Sequence, residues 1–307
     1  MTLEQLRIFV AVAERCHVTR AAEALHMAQS AVSAAVAALE GRHGAKLFHR
    51  VGRNIVLTEA GTLFLQEARA VLARSQAAER VLAELGGLRR GTLTIQASQT
   101  IASYWLPRHL VAFRRAYPGI DIHLRVGNTA EVAKAVHDGA ADLGFVEGRI
   151  DDPALLVETV ARDQLVIVVA PGHPWADGRA VAPSDWPDSE WVLREQGSGT
   201  RSMFEAAARA AEVLDRLPVV FELPSNEAVR GAVEAGMGAT AISASVAAPS
   251  IEAGLLARVA SALPERAFTL VRHKERHRSR AEDALLAIIA DPSSGSLAAQ
   301  PPRSRRD

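Results

Sequence analysis

The chain has 307 residues, enough for about two domains with real cores, and its 49% hydrophobic and 23% charged content exclude a wholly disordered or membrane-embedded polypeptide. Formal net charge is 0, so total charge points to no polyanionic partner, yet residues 1–91 carry roughly 12 Lys/Arg against 8 Asp/Glu and the remainder is correspondingly acidic. No apolar run has the length of a membrane span, the N-terminal residues lack a secretory pattern, and Cys16, the single cysteine, excludes an internal disulfide and suits a reducing cytoplasm.

In chain order, Thr2 reads as the N-cap of a first helix reaching Arg15, with Leu3, Leu6, Phe9, Val10 and Ala13 as its apolar stripe. Cys16 closes that helix and reads as a packing thiol rather than a redox sensor. From Val18 to Leu39 two Ala-rich apolar patterns flank the polar break His26-Met27-Ala28, with no Gly or Pro in either, the layout of a helix-turn-helix. Ala21, Ala22 and Leu25 form one face of the first helix; Val32, Val36 and Leu39 form that of the second. Gln29, Ser30 and Ser33 remain opposite, at the N-terminal end where a recognition helix meets base edges. Lys46 to Leu57 reads as a hairpin wing with Gly52-Arg53-Asn54 at its tip, placing Arg50 and Arg53 to meet phosphate or a narrow minor groove.

Thr58 caps a long helix in which Phe64, Ala68, Val71, Ser75, Ala78, Leu82 and Leu85 alternate steps of four and three. Such a helix projects about 40 Å and requires more apolar cover than a small winged domain provides, so a second copy is expected. Gly86-Gly87 and Arg89-Arg90-Gly91 end it.

Several motifs of residues 1–65 occur in one order: Leu6 and Phe9, Thr19-Arg20-Ala21-Ala22-Glu23-Ala24-Leu25, Gln29 with Ala31-Val32-Ser33, Leu39-Glu40, Leu47-Phe48-His49-Arg50, and Leu57-Thr58-Glu59-Ala60-Gly61. This set resembles the N-terminal domain of the LysR-type transcriptional regulators. The resemblance implies promoter DNA as partner, contacted by Thr19, Arg20, Gln29, Ser30, Ser33, Arg50 and Arg53, and a linker helix that pairs subunits into a homodimer or homotetramer. Two departures narrow base readout: Ala28 offers no capping hydroxyl, and Ala34 offers only an apolar contact.

Beyond residue 91 strands alternate with helices: strand Thr92–Ala97, helix Pro107–Tyr117, strand Asp121–Val126, helix Glu131–Asp138, strand Leu143–Glu147. The rhythm restarts with an apolar run Leu165–Ala170, helix Thr200–Ala211, strand Val219–Leu223, helix Asn226–Ala235 and strand Ala239–Ser243; Phe268–Val271 and helix Arg280–Ile289 look like a return to the first lobe. The fold class is therefore α/β with an N-terminal all-α winged helix-turn-helix, and the resemblance implies a two-lobed effector domain similar to periplasmic binding proteins. The expected divisions are 1–58 DNA-binding, 59–90 linker, 91–292 effector domain, with lobe I at about 91–162 and 269–292 and lobe II at about 163–268. Residues 293–307, small, polar and Pro-containing, read as a disordered tail.

Ligands of open α/β sheets lie beyond the carboxyl ends of strands. Three segments stand there: Ser98-Gln99-Thr100, Gly127-Asn128-Thr129, and Gln196-Gly197-Ser198-Gly199-Thr200-Arg201. Hydroxyls, free N–H groups at a helix N-terminus and a guanidinium suit a small anion, with Ser98, Gln99, Thr100, Thr129, Ser198, Gly199, Thr200 and Arg201 as effector residues. The resemblance supports these places, since regulators of inorganic sulfur or carbon assimilation often carry a similar GSGTR segment. Enzymatic constellations are absent from the sequence: Ser198 lacks a G-x-S-x-G elbow, no P-loop occurs, and His273 and His277 sit among basic residues in the wrong order for a zinc protease. No cofactor, metal or membrane is implied. The reading is a cytoplasmic, ligand-responsive transcriptional regulator; the alternative is a cytoplasmic small-molecule-binding protein or enzyme using the α/β half.

Overall fold

The computed structural model describes residues 1–51, 54–84 and 91–291, and the chain forms two compact units, the first Met1–Gly86 with Asp138–Ala140 and the second the rest. Arg53, Leu85 and the tail 293–307 lie outside the described residues.

In the first unit α1 (Leu3–Arg15) begins with a reciprocal cap: the Gln5 N–H donates to Thr2 Oγ1 at 3.2 Å and the Thr2 N–H to Gln5 Oε1 at 3.0 Å. Its burial is broader than the expected stripe. Ile8, Ala11 and Val12 are buried together with Leu6, Phe9 and Ala13, whereas Leu3 is exposed and Val10 half-buried. The reason is that α1 is central to the unit, covered by different elements on different sides.

Helix α2 (Val18–Leu25) ends at His26, whose φ of 54° turns the chain, and α3 (Gln29–His43) follows. Ala21, Ala22 and Val32 are buried in one cluster, and Leu39 in another with Leu6, Phe9, Leu47 and Ala68. Strands β1 (Phe48–Val51) and β2 (Asn54–Leu57) pair antiparallel with Val51 opposite Asn54, so the wing tip is a two-residue connection. The long helix α4 (Glu59–Glu84) packs Phe64 against Phe9 with ring centroids 4.8 Å apart, and Phe9 meets Phe48 at 5.4 Å. This splits the expected heptad seam. Phe64 and Ala68 face α4's own unit along with Leu65 and Leu72, while Val71 and Ala78 are exposed.

The second unit contains β3 (Gly91–Ser98), a π-helical turn Ile101–Trp105 leading into α5 (Leu106–Ala116), β4 (Ile120–Gly127), α6 (Thr129–Asp138), β5 (Leu143–Val146) and β6 (Leu155–Val169). There follow β7 (Trp191–Arg194), α7 (Gly199–Ala210), β8 (Val219–Leu223), α8 (Asn226–Glu234), β9 (Ala239–Ser243) and α9 (Ala244–Glu252). Strands β10 (Ala257–Arg258) and β11 (Glu265–His273) and helix α10 (Arg280–Ala290) complete it.

The sheet order is β4-β3-β5-β11-β6-β9-β7-β8, with β10 paired to β6. Strand β3 is parallel to β4 and β5, and β7 is parallel to β8 and β9. The apolar run read at Leu165–Ala170 is the end of a longer strand, β6, which passes from one lobe into the other. Residues 155–164 of β6 pair antiparallel with β11, and Leu165–Val169 pair antiparallel with β9. Each lobe has its own core: Leu93, Ile95, Phe113 and Phe145 in the first; Trp175, Trp186, Trp191 and Phe204 in the second.

Candidate DNA-binding surface and effector cleft

Helix α3 buries Val32 and Leu39 and leaves Gln29, Ser30, Ser33 and Ala34 exposed. Its first residue follows Ala28, which has extended backbone (φ −69°, ψ 139°) and no side-chain capping bond. The Ala31 N–H donates to the Ala28 carbonyl at 3.0 Å, and the N–H groups ahead of it are left to solvent or to an acceptor outside the helix. Thr19 and Arg20 are exposed at the start of α2, where His17 serves as N-cap through its Nδ1, 3.4 Å from the Arg20 N–H. Arg50 is exposed on β1, directly across from Ile55. Thus the burial of Val32 and Leu39 leaves Gln29, Ser30 and Ser33 on the outer surface of the three-helix unit.

In the second unit the carboxyl ends of β3, β4 and β5 oppose the N-termini of α7 and α8 across the junction of the lobes. Gly199 marks the closest approach: a Cβ there would stand 2.6 Å from Thr129 Oγ1 and 2.8 Å from the Gly148 nitrogen. Thr200 Oγ1 accepts from Arg266 Nη1 at 2.9 Å and lies 3.5 Å from Glu147 Oε1. Ser198 caps α7, its Oγ accepting from the Arg201 N–H at 3.5 Å. Ser98 Oγ, Thr129 Oγ1 and Glu147 Oε2 are buried without a hydrogen-bond partner among the described residues, which is unusual for polar atoms inside a fold.

The charges there differ from expectation. Arg201, expected to add a free positive charge, turns away: its Nε donates to Glu205 at 2.6 Å, and its Nη1 donates to Glu222 and to the Arg194 carbonyl. Burial opposes ionisation of this guanidinium, but the two carboxylates outweigh it and raise its pKa. A buried cation there is Arg266 on β11, held 2.6 Å from Asp163 and 3.7 Å from Glu147. One guanidinium therefore stands between two carboxylates.

Gln99 and Thr100 are likewise engaged across the cleft. Gln99 Oε1 accepts from the Asn226 N–H at 2.7 Å, its Nε2 donates to Glu227 at 2.6 Å, and Asn226 Nδ2 donates to Thr100 Oγ1 at 3.0 Å. Arg194 Nη1 completes the chain by donating to Asn226 Oδ1 at 2.7 Å. Tyr104, on the π-helical turn, points its hydroxyl at Glu227, 3.5 Å away; burial, then that carboxylate's charge, push its pKa up and keep the phenol protonated.

Residues 3–62 match the family described as bacterial regulatory helix-turn-helix protein, lysR family, and residues 86–292 match the LysR substrate binding domain. The HTH-type transcriptional regulator YeiE of Escherichia coli K12 is 36% identical over 283 residues, covering 92% of this chain and 94% of that protein. The chain belongs to the LysR-type transcriptional regulators.

Two solved structures share the fold. One is full-length CbnR complexed with its target DNA (TM-score 0.67, 22% identity, covering 94% of this chain and 99% of that one). The other is the regulatory domain of Synechocystis PCC6803 CcmR with 2-PG (TM-score 0.61, 24% identity, covering 66% and 96%). As a LysR-type regulator the protein binds DNA through its N-terminal unit and responds to a ligand through its α/β unit; its families are those of transcriptional regulators, not of enzymes. Among the described residues no group of three or more His, Cys, Asp or Glu is placed to hold a metal ion, and no helix is long and apolar enough to cross a membrane.

The sequence reading missed Glu147, Asp163, Asn226, Glu227 and Arg266, which complete the cleft. Asn226 carried a signal, since it follows Ser225 at a helix start beyond a strand, the same pattern that singled out Thr200. Arg266 and Asp163 carried none: each is a charged residue on a strand, and only pairing across about a hundred residues brings them together.

Proposed function

We propose that this LysR-type regulator acts in the cytoplasm as a homodimer, or a pair of dimers, on a two-fold-related promoter site. The proposed division is 1–58 for DNA binding, 59–90 for the linker helix and 91–292 for the effector domain. Thr19, Arg20, Gln29, Ser30, Ser33 and Arg50, with Arg53, are the proposed DNA contacts. The observation that carries the DNA reading is α3 itself, whose exposed Gln29, Ser30 and Ser33 stand over the buried Val32 and Leu39 at an uncapped N-terminus. Dimerisation is supported by the outer face of α4, where Leu63 is 63% and Val71 41% exposed. In the α/β unit the edge strand β8 leaves Val219, Val220 and Phe221 exposed, an edge that calls for a cover.

The effector is proposed to bind between the lobes, touching Ser98, Gln99, Thr100, Thr129, Ser198, Gly199 and Thr200. Arg201 supports this site from behind, by bonding the Arg194 carbonyl and the Glu205 and Glu222 carboxylates. Because Arg266 is balanced by carboxylates, a small acid fits only if it also brings a hydrogen-bond donor for Glu147. The 2-PG of the CcmR regulatory domain supports a small ligand in this kind of domain.

Replacing Gln29 and Ser33 together by Ala is expected to abolish sequence preference and to leave weak, salt-sensitive binding through phosphate contacts. The measurement is a competition between the intergenic DNA upstream of the gene and a scrambled duplex, over a salt series. Unchanged discrimination in the double variant would remove α3 from base readout.

A further inference from the structure

The wing is anchored at its base on two sides. On one side stands Glu40, in the last turns of α3, with a side chain 10% exposed. Its Oε1 accepts from the N–H groups of Leu47 at 2.9 Å and Phe48 at 3.3 Å, and its Oε2 from Lys46 Nζ at 2.7 Å. On the other side stands Thr58, the residue before α4. Its hydroxyl donates to the Lys46 carbonyl at 2.7 Å and accepts from the Gly61 N–H at 2.8 Å, and its own N–H donates to the Leu47 carbonyl at 3.0 Å.

That carbonyl is pressed against the first turn of α4. A Cβ on Gly61 would stand 2.1 Å from the Leu47 oxygen, so no larger residue fits while the clamp is closed. The N–H groups of Leu47 and Phe48 are therefore held by Glu40 of the recognition helix, and the carbonyls of Lys46 and Leu47 by Thr58 at the entry to the linker helix. Arg50 lies two residues further along β1, and the tip beyond it has only two residues. The base from which the arm carrying Arg50 departs is thus fixed on both sides.

We propose that Glu40 and Thr58 form a clamp that positions the wing, making Glu40 a positioning residue for the contact of Arg50 with DNA. The clamp also ties the wing to the orientation of α4, so that a change in how two linker helices pair is felt at the wing as well as at α3. This rests on reading Arg50 as a DNA contact. Neither Glu40 nor Thr58 touches DNA; both act through the Lys46–Phe48 backbone.

The test is a double-mutant cycle on the full-length protein, binding a fluorescent duplex of its own upstream intergenic region across a salt series. Arg50→Ala is expected to weaken binding about tenfold and to lower the salt slope by about one. Glu40→Ala should do the same, and adding it to Arg50→Ala should cost less than about twofold more. Glu40→Gln, which keeps an acceptor for the Leu47 N–H, should recover most of the affinity. If Glu40→Ala prevents folding, Thr58→Val replaces it in the cycle, with Thr58→Ser as the conservative rescue. Losses that multiply in the double variant, or a Glu40 variant with wild-type affinity and slope, would overturn the clamp while leaving Arg50 as a contact. An Arg50→Ala protein indistinguishable from wild type would overturn the Arg50 reading itself, and the clamp's role in DNA binding with it.

Discussion

Glu40 and Arg201 show how a charged residue can be a structural tie. Burial alone would raise the Glu40 pKa, but the Lys46 ammonium and the N–H groups of Leu47 and Phe48 outweigh it and hold the carboxyl below its ordinary value of about 4.5. A depressed carboxylate stabilises the fold above its unfolded pKa and loses that contribution as pH falls through the folded one. Thermal melts from pH 7 down to pH 3 should therefore show a stability loss that begins near pH 4.5 and is smaller in Glu40→Gln; equal acid sensitivity in both proteins would count against this tie. Arg201→Ala should lower stability by about 1–2 kcal/mol, because Glu205 and the Arg194 carbonyl lose a charged donor. Its signature is a reduced Tm without ligand; a variant with wild-type Tm that is defective only in its effector response would restore Arg201 to the ligand. At this scale the sequence was a partial guide. Thr100, Thr129 and Thr200 were legible because hydroxyls after strand ends are a local pattern, whereas Arg266 and Asp163 owe their meaning to partners far away in the chain.

Among the elements, α3 offers the simplest change. Ala28 already has the extended backbone of a cap but supplies no acceptor, so Ala28→Ser should stabilise the winged unit by about 1 kcal/mol, read as a higher Tm. Gly61→Ala should do the opposite, since the Leu47 carbonyl occupies the place of its Cβ; a variant melting like wild type would mean that the wing base yields easily. The helices of the N-terminal unit were readable because their apolar residues recur at helical spacing and their caps are local. Strand β6 was half hidden: Leu165–Val169 is continuous apolar sequence, but Leu155–Gln164 mixes in Glu158, Arg162 and Asp163. Strand β7 was missed altogether, because four residues, Trp191–Arg194, are too few for a periodicity to show, although all four are buried. The π-helical turn that aims Tyr104 has no signature in composition.

For the molecule as a whole, the family domains at the two ends of the chain account for a DNA-reading unit and a ligand-sensing unit, and the proposal that joins them is dimerisation. Of the expected heptad positions, Phe64 and Ala68 serve the protein's own winged unit, while Val71 and Ala78 further along α4 are exposed. The exposed Leu63 and Val71 are where a second copy is proposed to pack. Val71→Asp should shift the sedimentation equilibrium toward smaller species and make Tm less dependent on protein concentration; an unchanged association constant would assign dimerisation elsewhere. Quantitative footprinting of the full-length wild-type protein on its upstream intergenic region tests the account most directly. Salt-sensitive protection of two half-sites related by two-fold symmetry is expected, their centres one helical turn of about 34 Å or a multiple apart, appearing together as protein is added. Protection of one isolated half-site at every concentration, or none at low salt, would contradict it.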